Sequence, residues 1–296
     1  METSIRSLLF APGNHPRRVE KALSLEADGV ILDLEDACPI AEKIDSRRAV
    51  VEAMTRKRSG LGYIRVNALS TEFGYGDIIS VVRPGLDGIV VPKVESPDEL
   101  RTADWLVAQI EREQGLPKGS VDILPIIETG RGMAAVDAIA RAGTRIRRMA
   151  FGAGDFTFDM DIPWSRDEAG LAPYRAAMVL ASRAAGIEPP IDTVWVRIED
   201  KEGFSTSADR ARAMGFGGKL CIYPDQVPVV NAAFRPTQAQ VAYARRVVDA
   251  FQAAEAAQSA AIQLDGQFID YPIVYQAQRV LKTEEAIIAR GRKGHD

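Results

Sequence analysis

The chain has 296 residues, 46% of them hydrophobic and 26% charged, a balance that excludes a disordered, collagen-like or disulfide-scaffold protein. With 37 basic against 41 acidic residues the net charge is −4, and no long basic run marks a dedicated nucleic-acid binder. Cys38 and Cys221 are too few for a zinc cluster, and His15 and His295 are too few for a histidine metal site or a Ser–His–Asp triad. A metal, if one is used, has to be held by carboxylates and be a hard cation such as Mg²⁺. The first residues contain no apolar core of signal-peptide length. No later stretch approaches the roughly 18 apolar residues of a membrane span. A cytoplasmic protein without a membrane or nucleic-acid partner is the expectation.

Short apolar runs rich in β-branched residues alternate with amphipathic segments. The pattern predicts strands over 7–11, 29–33, 62–66, 87–91, 121–127, 147–152, 193–196 and 219–223. Each is apolar nearly throughout, as strands buried on both faces are. Helices are predicted over 16–26, 41–58, 97–114, 133–142 and 172–185. Gly115, Gly143 and Gly186 stop three of them, and Ser96 caps the one that starts at Pro97. Strand–helix units of this kind, eight in number, predict an α/β protein with a TIM (β/α)8 barrel over residues 1–235. A doubly wound sheet ranks second, because no GxGxxG follows a strand. Residues 236–296 read as a C-terminal helical extension, with one helix over 237–261 and another, after Asp265-Gly266, over 271–290. This extension packs on a neighbouring subunit, covers the barrel mouth, or is a simple decoration. Residues 291–296 read as a frayed end.

Barrel active sites lie where strands end at their C-terminal edge. There the sequence attaches polar residues directly to apolar runs: Asn14, the cluster Asp33, Glu35 and Asp36, then Arg65, Asn67, Lys93, Glu95, Glu128, Arg131 and Asp155. Buried charge is costly unless paired or metal-bound. Glu128 and Asp155 end neighbouring strands, so the two carboxylates can share one Mg²⁺ that keeps other positions open. The competing role is pairing with an arginine or capping a helix. Gly152 and Gly154 let the backbone come close. Arg65, inside Ile64-Arg65-Val66, points into the barrel. It either grips a substrate carboxylate or pairs with Asp33 or Glu35. Asp33, Glu35 and Asp36 can accept from Arg65 and from water around a metal, with helix capping as the rival role of Asp36. Arg17 and Lys21, four apart on one helix face, either meet phosphates or form a solvated basic face. His15 has no expected chemical role. Cys221, Trp105, Trp164 and Trp195 read as packing residues.

The segments RSLLFAPGN (6–14), VILDLEDA (30–37), IRVN (64–67), GIVVPK (88–93), IET (127–129) and FGAGD (151–155) occur in this order, and FIDYP (268–272) follows near the end. The set resembles the citrate lyase β-subunit-like acyl-CoA lyases of the HpcH/HpaI aldolase superfamily, from Ser7 to about Leu281. The resemblance implies a TIM barrel that cleaves a β-hydroxyacyl-CoA thioester of the malyl-, citramalyl- or citryl-CoA type into acetyl-CoA and an α-keto acid. It implies that Glu128 and Asp155 ligate Mg²⁺, that Glu128 also contacts substrate, and that Arg65 sits by the reacting carbons and stabilises the thioester enolate. Phe10, Arg17 and Lys21 match residues on the CoA side, with Arg17 where lysine is common. Ile222 and Tyr223 match a substrate- or CoA-contacting Ile-His pair, with Tyr223 in place of the histidine. Asp270 matches an aspartate that reaches an adjacent subunit's active site as general acid/base, which requires a homo-oligomer such as a trimer or hexamer. The alternatives are a CoA-independent class II pyruvate aldolase, a citrate lyase β subunit acting on an acyl carrier protein, and a non-catalytic acyl-CoA-binding scaffold. The aldolases usually carry an early histidine near the metal, and no histidine ends a strand here.

Overall fold

The computed structural model describes residues 4–256 and 261–293. Its strands β1 (Ser7–Pro12), β2 (Gly29–Asp33), β3 (Leu61–Arg65), β4 (Gly88–Val91), β5 (Asp122–Ile127), β6 (Ala150–Phe151), β7 (Ile191–Asp192) and β8 (Gly218–Cys221) close in sequence order into a parallel barrel. Closure is completed by β8 against β1, with Ser7 opposite Lys219. Helices α1 (Pro16–Leu23), α2 (Lys43–Met54), α3 (Gly74–Val81), α4 (Pro97–Glu113), α5 (Gly130–Ala134), α6 (Val136–Ala140), α7 (Ala153–Asp159), α8 (Ala172–Ala184), α9 (Lys201–Met214) and α10 (Gln226–Ala233) follow the strands. They form a unit spanning Ile5–Phe234. The predicted caps and stops are present. Ser96 Oγ accepts the Glu99 N–H, and Gly115, Gly143 and Gly186 all have positive φ.

The period of two along each strand decides what enters the barrel. Leu8, Ile31, Tyr63, Leu124, Ile126, Ala150, Ile191 and Leu220 form the interior cluster. Leu9, Leu32, Ile64, Ile123, Ile127 and Cys221 face the helices. Continuing the inward row two residues further brings Phe10, Asp33, Arg65, Glu128, Gly152, Thr193 and Ile222 to the C-terminal mouth.

The structure corrects several sequence expectations. The strand expected over 193–196 is instead Ile191–Asp192, and the one expected over 147–152 shortens to Ala150–Phe151. Just beyond β7, the Thr193 hydroxyl oxygen accepts the Ala153 N–H at 2.9 Å. Trp195 turns back to donate to the Arg197 carbonyl. Helices α3, α7, α9 and α10 add to the segments named from the sequence. Between 237 and 290 the expected pair of helices is joined by a hairpin. In this second unit, built from Arg235 onward, α11 (Gln238–Ala256) is followed by β9 (Ile262–Leu264), β10 (Gln267–Ile269) and α12 (Tyr271–Lys293). Asp265 and Gly266 have φ of 52° and 77°, the left-handed pair that a tight type I′ hairpin turn needs. Positions 257–260 of the first expected helix and 294–296 of the expected frayed end lie outside the described residues. Residues 291–293 continue α12.

Between the barrel wall and its helices lies a buried ion network. Arg175 on α8 donates to Asp192 at 2.8 and 3.0 Å and to Glu168 at 3.0 and 3.1 Å. Lys219 donates to Asp192 at 2.6 Å. Burial alone would raise the Asp192 carboxyl, but Lys219 and Arg175 hold it below the ordinary carboxylate range. Its ionised form therefore stabilises the fold above the unfolded value of about 3.9, and that stability is lost as pH falls through the lower folded value. Asp192→Asn should cost about 3–5 kcal/mol in urea unfolding at neutral pH, because it leaves two buried cations short of charge. The variant's deficit should shrink as the pH is lowered below about 4.

Candidate active site

The mouth of the barrel opens on a cavity of about 350 Å³ lined by Phe10, Asp33, Asp36, Arg65, Glu128, Asp155 and Thr193, with Ile126, Val194, Leu220 and Ile222 as apolar walls. The tight turn after β2 is built first. Buried Lys43 donates to the carbonyls of Leu34 at 2.8 Å and Glu35 at 2.5 Å, and Asn67 donates to Leu34 at 2.9 Å. Asp33 then accepts the N–H groups of Glu35 and Ala37 at 2.9 and 3.0 Å.

Arg65 meets this turn across the strand pair. Its Nε and Nη2 donate to both Asp33 oxygens at 2.7 and 2.6 Å. Its Nη1 lies 2.8 Å from Glu35 Oε2 and 3.4 Å from Asp36 Oδ2, and its guanidinium stands 4.9 Å from the centroid of the Phe10 ring. Burial would raise the Asp33 carboxyl, yet Arg65 and the two backbone donors bring it below the usual range. The alternative weighed for Arg65, pairing with Asp33 and Glu35, is thus present, and the cation still borders the cavity.

Glu128 is only 4% exposed and accepts the Lys93 backbone N–H at 2.8 Å. Gly152 is required beside it, since a Cβ there would fall 2.6 Å from the Cβ of Glu128. Asp155, in the first turn of α7, is held through Ala153 and Thr193. Lys93 bridges the carboxylates, with Nζ 2.5 Å from Glu35, 3.0 Å from Asp155 and 3.7 Å from Asp36.

Five carboxylates (Asp33, Glu35, Asp36, Glu128 and Asp155) thus face two cations, Arg65 and Lys93. Burial and the neighbouring Glu35 and Asp155 charges push the Glu128 carboxyl up to about 8, outweighing Arg65 and Lys93. Asp155 Oδ2 and Glu35 Oε2 are shielded from solvent and accept no aligned hydrogen bond among the described residues. Among the described residues no three His, Cys, Asp or Glu side chains form a ready-made metal cage. An all-oxygen pair with surplus negative charge suits a cation that retains waters and takes substrate oxygens, as Mg²⁺ does.

Not all expected residues join this cavity. Arg17 and Lys21 lie exposed on α1 and are not among its walls, and Tyr223 is exposed beside Ile222. Asp270 belongs to the second unit, between β10 and α12. Conversely, sequence reasoning noted Lys93 only as a polar strand end and gave Lys43 and Thr193 no role. The Pro92-Lys93 step after an apolar strand was the one visible signal. The positive φ of Lys93, 50°, was not.

Residues 6–224 match the family described as HpcH/HpaI aldolase/citrate lyase. The chain belongs to this family. It is 36% identical over 283 residues to citrate lyase subunit beta of Leuconostoc mesenteroides subsp. cremoris, covering 95% of this chain and 93% of that one. It is 33% identical over 306 residues to L-malyl-CoA/beta-methylmalyl-CoA lyase of Cereibacter sphaeroides, covering 96% of each. Protein CitE from Mycobacterium tuberculosis, solved in complex with magnesium, acetoacetate and coenzyme A, has a TM-score of 0.76 and 29% identity over 96% of this chain and 100% of that chain. The protein is a lyase of the citrate or acyl-CoA type.

Because Glu128 binds its proton more tightly in the fold than in the unfolded chain, its contribution is complete below the unfolded value of about 4.3 and is lost as pH rises. In EDTA, the stability difference between the wild type and Glu128→Gln should therefore fall steadily as the pH is raised from about 5 to 9 in urea titrations. A difference that stays flat or grows with pH would contradict the assignment.

Proposed function

We propose that the protein is a Mg²⁺-dependent carbon–carbon lyase that cleaves a β-hydroxyacyl-CoA thioester of the malyl-, citramalyl- or citryl-CoA type into acetyl-CoA and an α-keto acid. The observation that carries this reading is the pair Glu128 and Asp155 beside the Arg65 cation in one half-apolar cavity. These two carboxylates would hold the metal, which supplies Lewis-acid polarisation of the α-hydroxyl and its neighbouring carboxylate. Arg65 is pre-oriented by Asp33 and by the Phe10 ring. Its charge favours the negative charge that develops on the thioester oxygen as the carbon–carbon bond breaks. The apolar walls, including Ile126 and Leu220, limit water around that charge. Arg17 and Lys21, solvent-facing on α1, are suited to CoA phosphates, and Ile222 and Tyr223 to the acyl or pantetheine chain. Two free buried cysteines agree with a cytoplasmic enzyme. Among the described residues no helix is long and apolar enough to cross a membrane.

The proton for the enolate carbon is assigned to Asp270 of a neighbouring copy in a homotrimer or hexamer. Ile269 is fully buried in its own unit, while Phe268 before it is 66% exposed. Asp270 lies one residue beyond β10, half-buried, at the start of α12.

The likeness to citrate lyase subunit beta favours one second reading, in which the thioester is carried by an acyl carrier protein. A coupled assay that detects the α-keto acid from malyl-, citramalyl- and citryl-CoA separates these cases. Turnover abolished by EDTA is expected, and Asp155→Asn should lower it by at least about a thousandfold. Cleavage of the carrier-bound thioester alone would select the second reading. Cleavage of a free hydroxy-keto acid alone would replace both with a CoA-independent aldolase. Asp270→Asn should lower kcat by about 10²–10⁴. Mixed with Arg65→Ala subunits, it should regain activity if the acid crosses between copies, and no recovery on mixing would remove Asp270 from a neighbour's site.

A further inference from the structure

Lys93 is attached to both proposed metal ligands at once. Its backbone N–H donates to Glu128 at 2.8 Å and its ammonium lies 3.0 Å from Asp155. The same ammonium lies 2.5 Å from Glu35. The residue holds a φ of 50°, a conformation that a β-carbon resists and that persists where surrounding contacts impose it. Arg65 cannot serve Asp155 in the same way, because its fork is spent on Asp33 and faces Glu35 and Asp36. Lys93 is also the more exposed of the two cations, with a side chain 35% exposed against 11% for Arg65. A long stem with a solvent route lets the ammonium leave a carboxylate without uncovering a buried unpaired charge.

We propose that Lys93 is a resident counter-cation of the metal site, competing with the divalent ion for Asp155 and so setting how tightly that ion binds. The inference rests on the reading of Glu128 and Asp155 as the Mg²⁺ ligands. Like charges at such separations repel strongly away from bulk water. A divalent ion on Asp155 therefore has to displace the ammonium toward Glu35, Asp36 or solvent. The metal's net affinity is its intrinsic affinity less the cost of that displacement. Removing the ammonium removes the competitor, so binding should strengthen. A lysine that only braced the carboxylates would have the opposite effect, because its loss would let them separate and weaken the site.

The test is calorimetric titration of the full-length protein with MgCl₂ alone, at about pH 9 so that the carboxylates are ionised. Lys93→Met should bind Mg²⁺ about tenfold more tightly than the wild type. Its Mg²⁺-induced rise in melting temperature should be larger, from a lower metal-free starting point. Lys93→Gln is measured in parallel, so that misfolding of one variant leaves the question decidable. Lys93→Arg, which keeps the charge, should stay near wild-type affinity. Asp155→Asn should bind no Mg²⁺. If the wild type and Asp155→Asn behave as stated but Lys93→Met and Lys93→Gln bind Mg²⁺ equally or more weakly, the competition is refuted and the metal site stands. If the wild type binds no Mg²⁺, or Asp155→Asn binds it equally well, the metal assignment itself fails and this inference falls with it.

Discussion

The bidentate pairing of Arg65 with Asp33 is the interaction on which the mouth of the barrel depends. Both side chains belong to inward rows of adjacent strands, opposite one another in the β2–β3 register. Neither could be buried alone, because an unpaired guanidinium or carboxylate there would be strongly destabilising. Once paired, they place a fixed positive charge at the cavity and leave the remaining carboxylates under-compensated. Lys93 answers part of the deficit. Glu128, buried and beside the Glu35 and Asp155 charges, holds its proton up to about 8, which reduces the surplus without removing it. The proposed divalent cation would supply the missing positive charge, and Arg65 would offer an anionic substrate an attraction already oriented.

Much of the barrel was legible because its strands are unusually plain. From β2 to β5, apolar and glycine residues fill four or more successive positions and then stop at a charge, while β1 runs apolar from Leu8 to Pro12. Burial on both faces and the catalytic rim produce that combination. The failures have a common cause in strands too short to carry a pattern. With two residues each, β6 and β7 offer no period. Val194 and Val196 imitate strand alternation in a segment that loops over the rim. α3 was missed because Gly74, Gly76 and its β-branched Ile78, Ile79 and Val81 are weak helix formers, so its helical state comes from packing. Of the site, the residue types and the strand ends that carry them could be read directly, whereas the contacts of Lys93 and Lys43 depend on backbone angles that composition does not reveal.

Support for Asp155 comes from further away than sequence spacing suggests. Thr193 receives the N–H that starts α7, and Thr193 follows Asp192, the anion shared by Arg175 and Lys219. The outward residue of β7 is thus locked into the buried ion network, and the next residue, facing inward, fixes the helix that bears the proposed metal ligand. Buried ion networks of this kind contribute little net stability compared with apolar packing. Their use here is geometric, since a salt-bridged strand cannot slide without breaking several charge pairs together.

The barrel rim supplies charges in fixed partnerships, and this limits what it can do as an acid. Asp33 is committed to Arg65, Glu35 and Asp155 contact Lys93, and Glu128 is buried against Gly152 and the Lys93 backbone. Asp36 faces both cations. A lyase that generates a thioester enolate needs a proton donor that approaches after the bond breaks, free of the ion pairs that hold carboxylates ionised. The proposed use of Asp270 from a neighbouring copy meets that requirement. It follows β10, whose Ile269 is buried in the core of its own unit. Glu128 holds its proton up to about 8, but as a proposed metal ligand it would give that proton up when the cation binds, so the enolate's acid is assigned elsewhere.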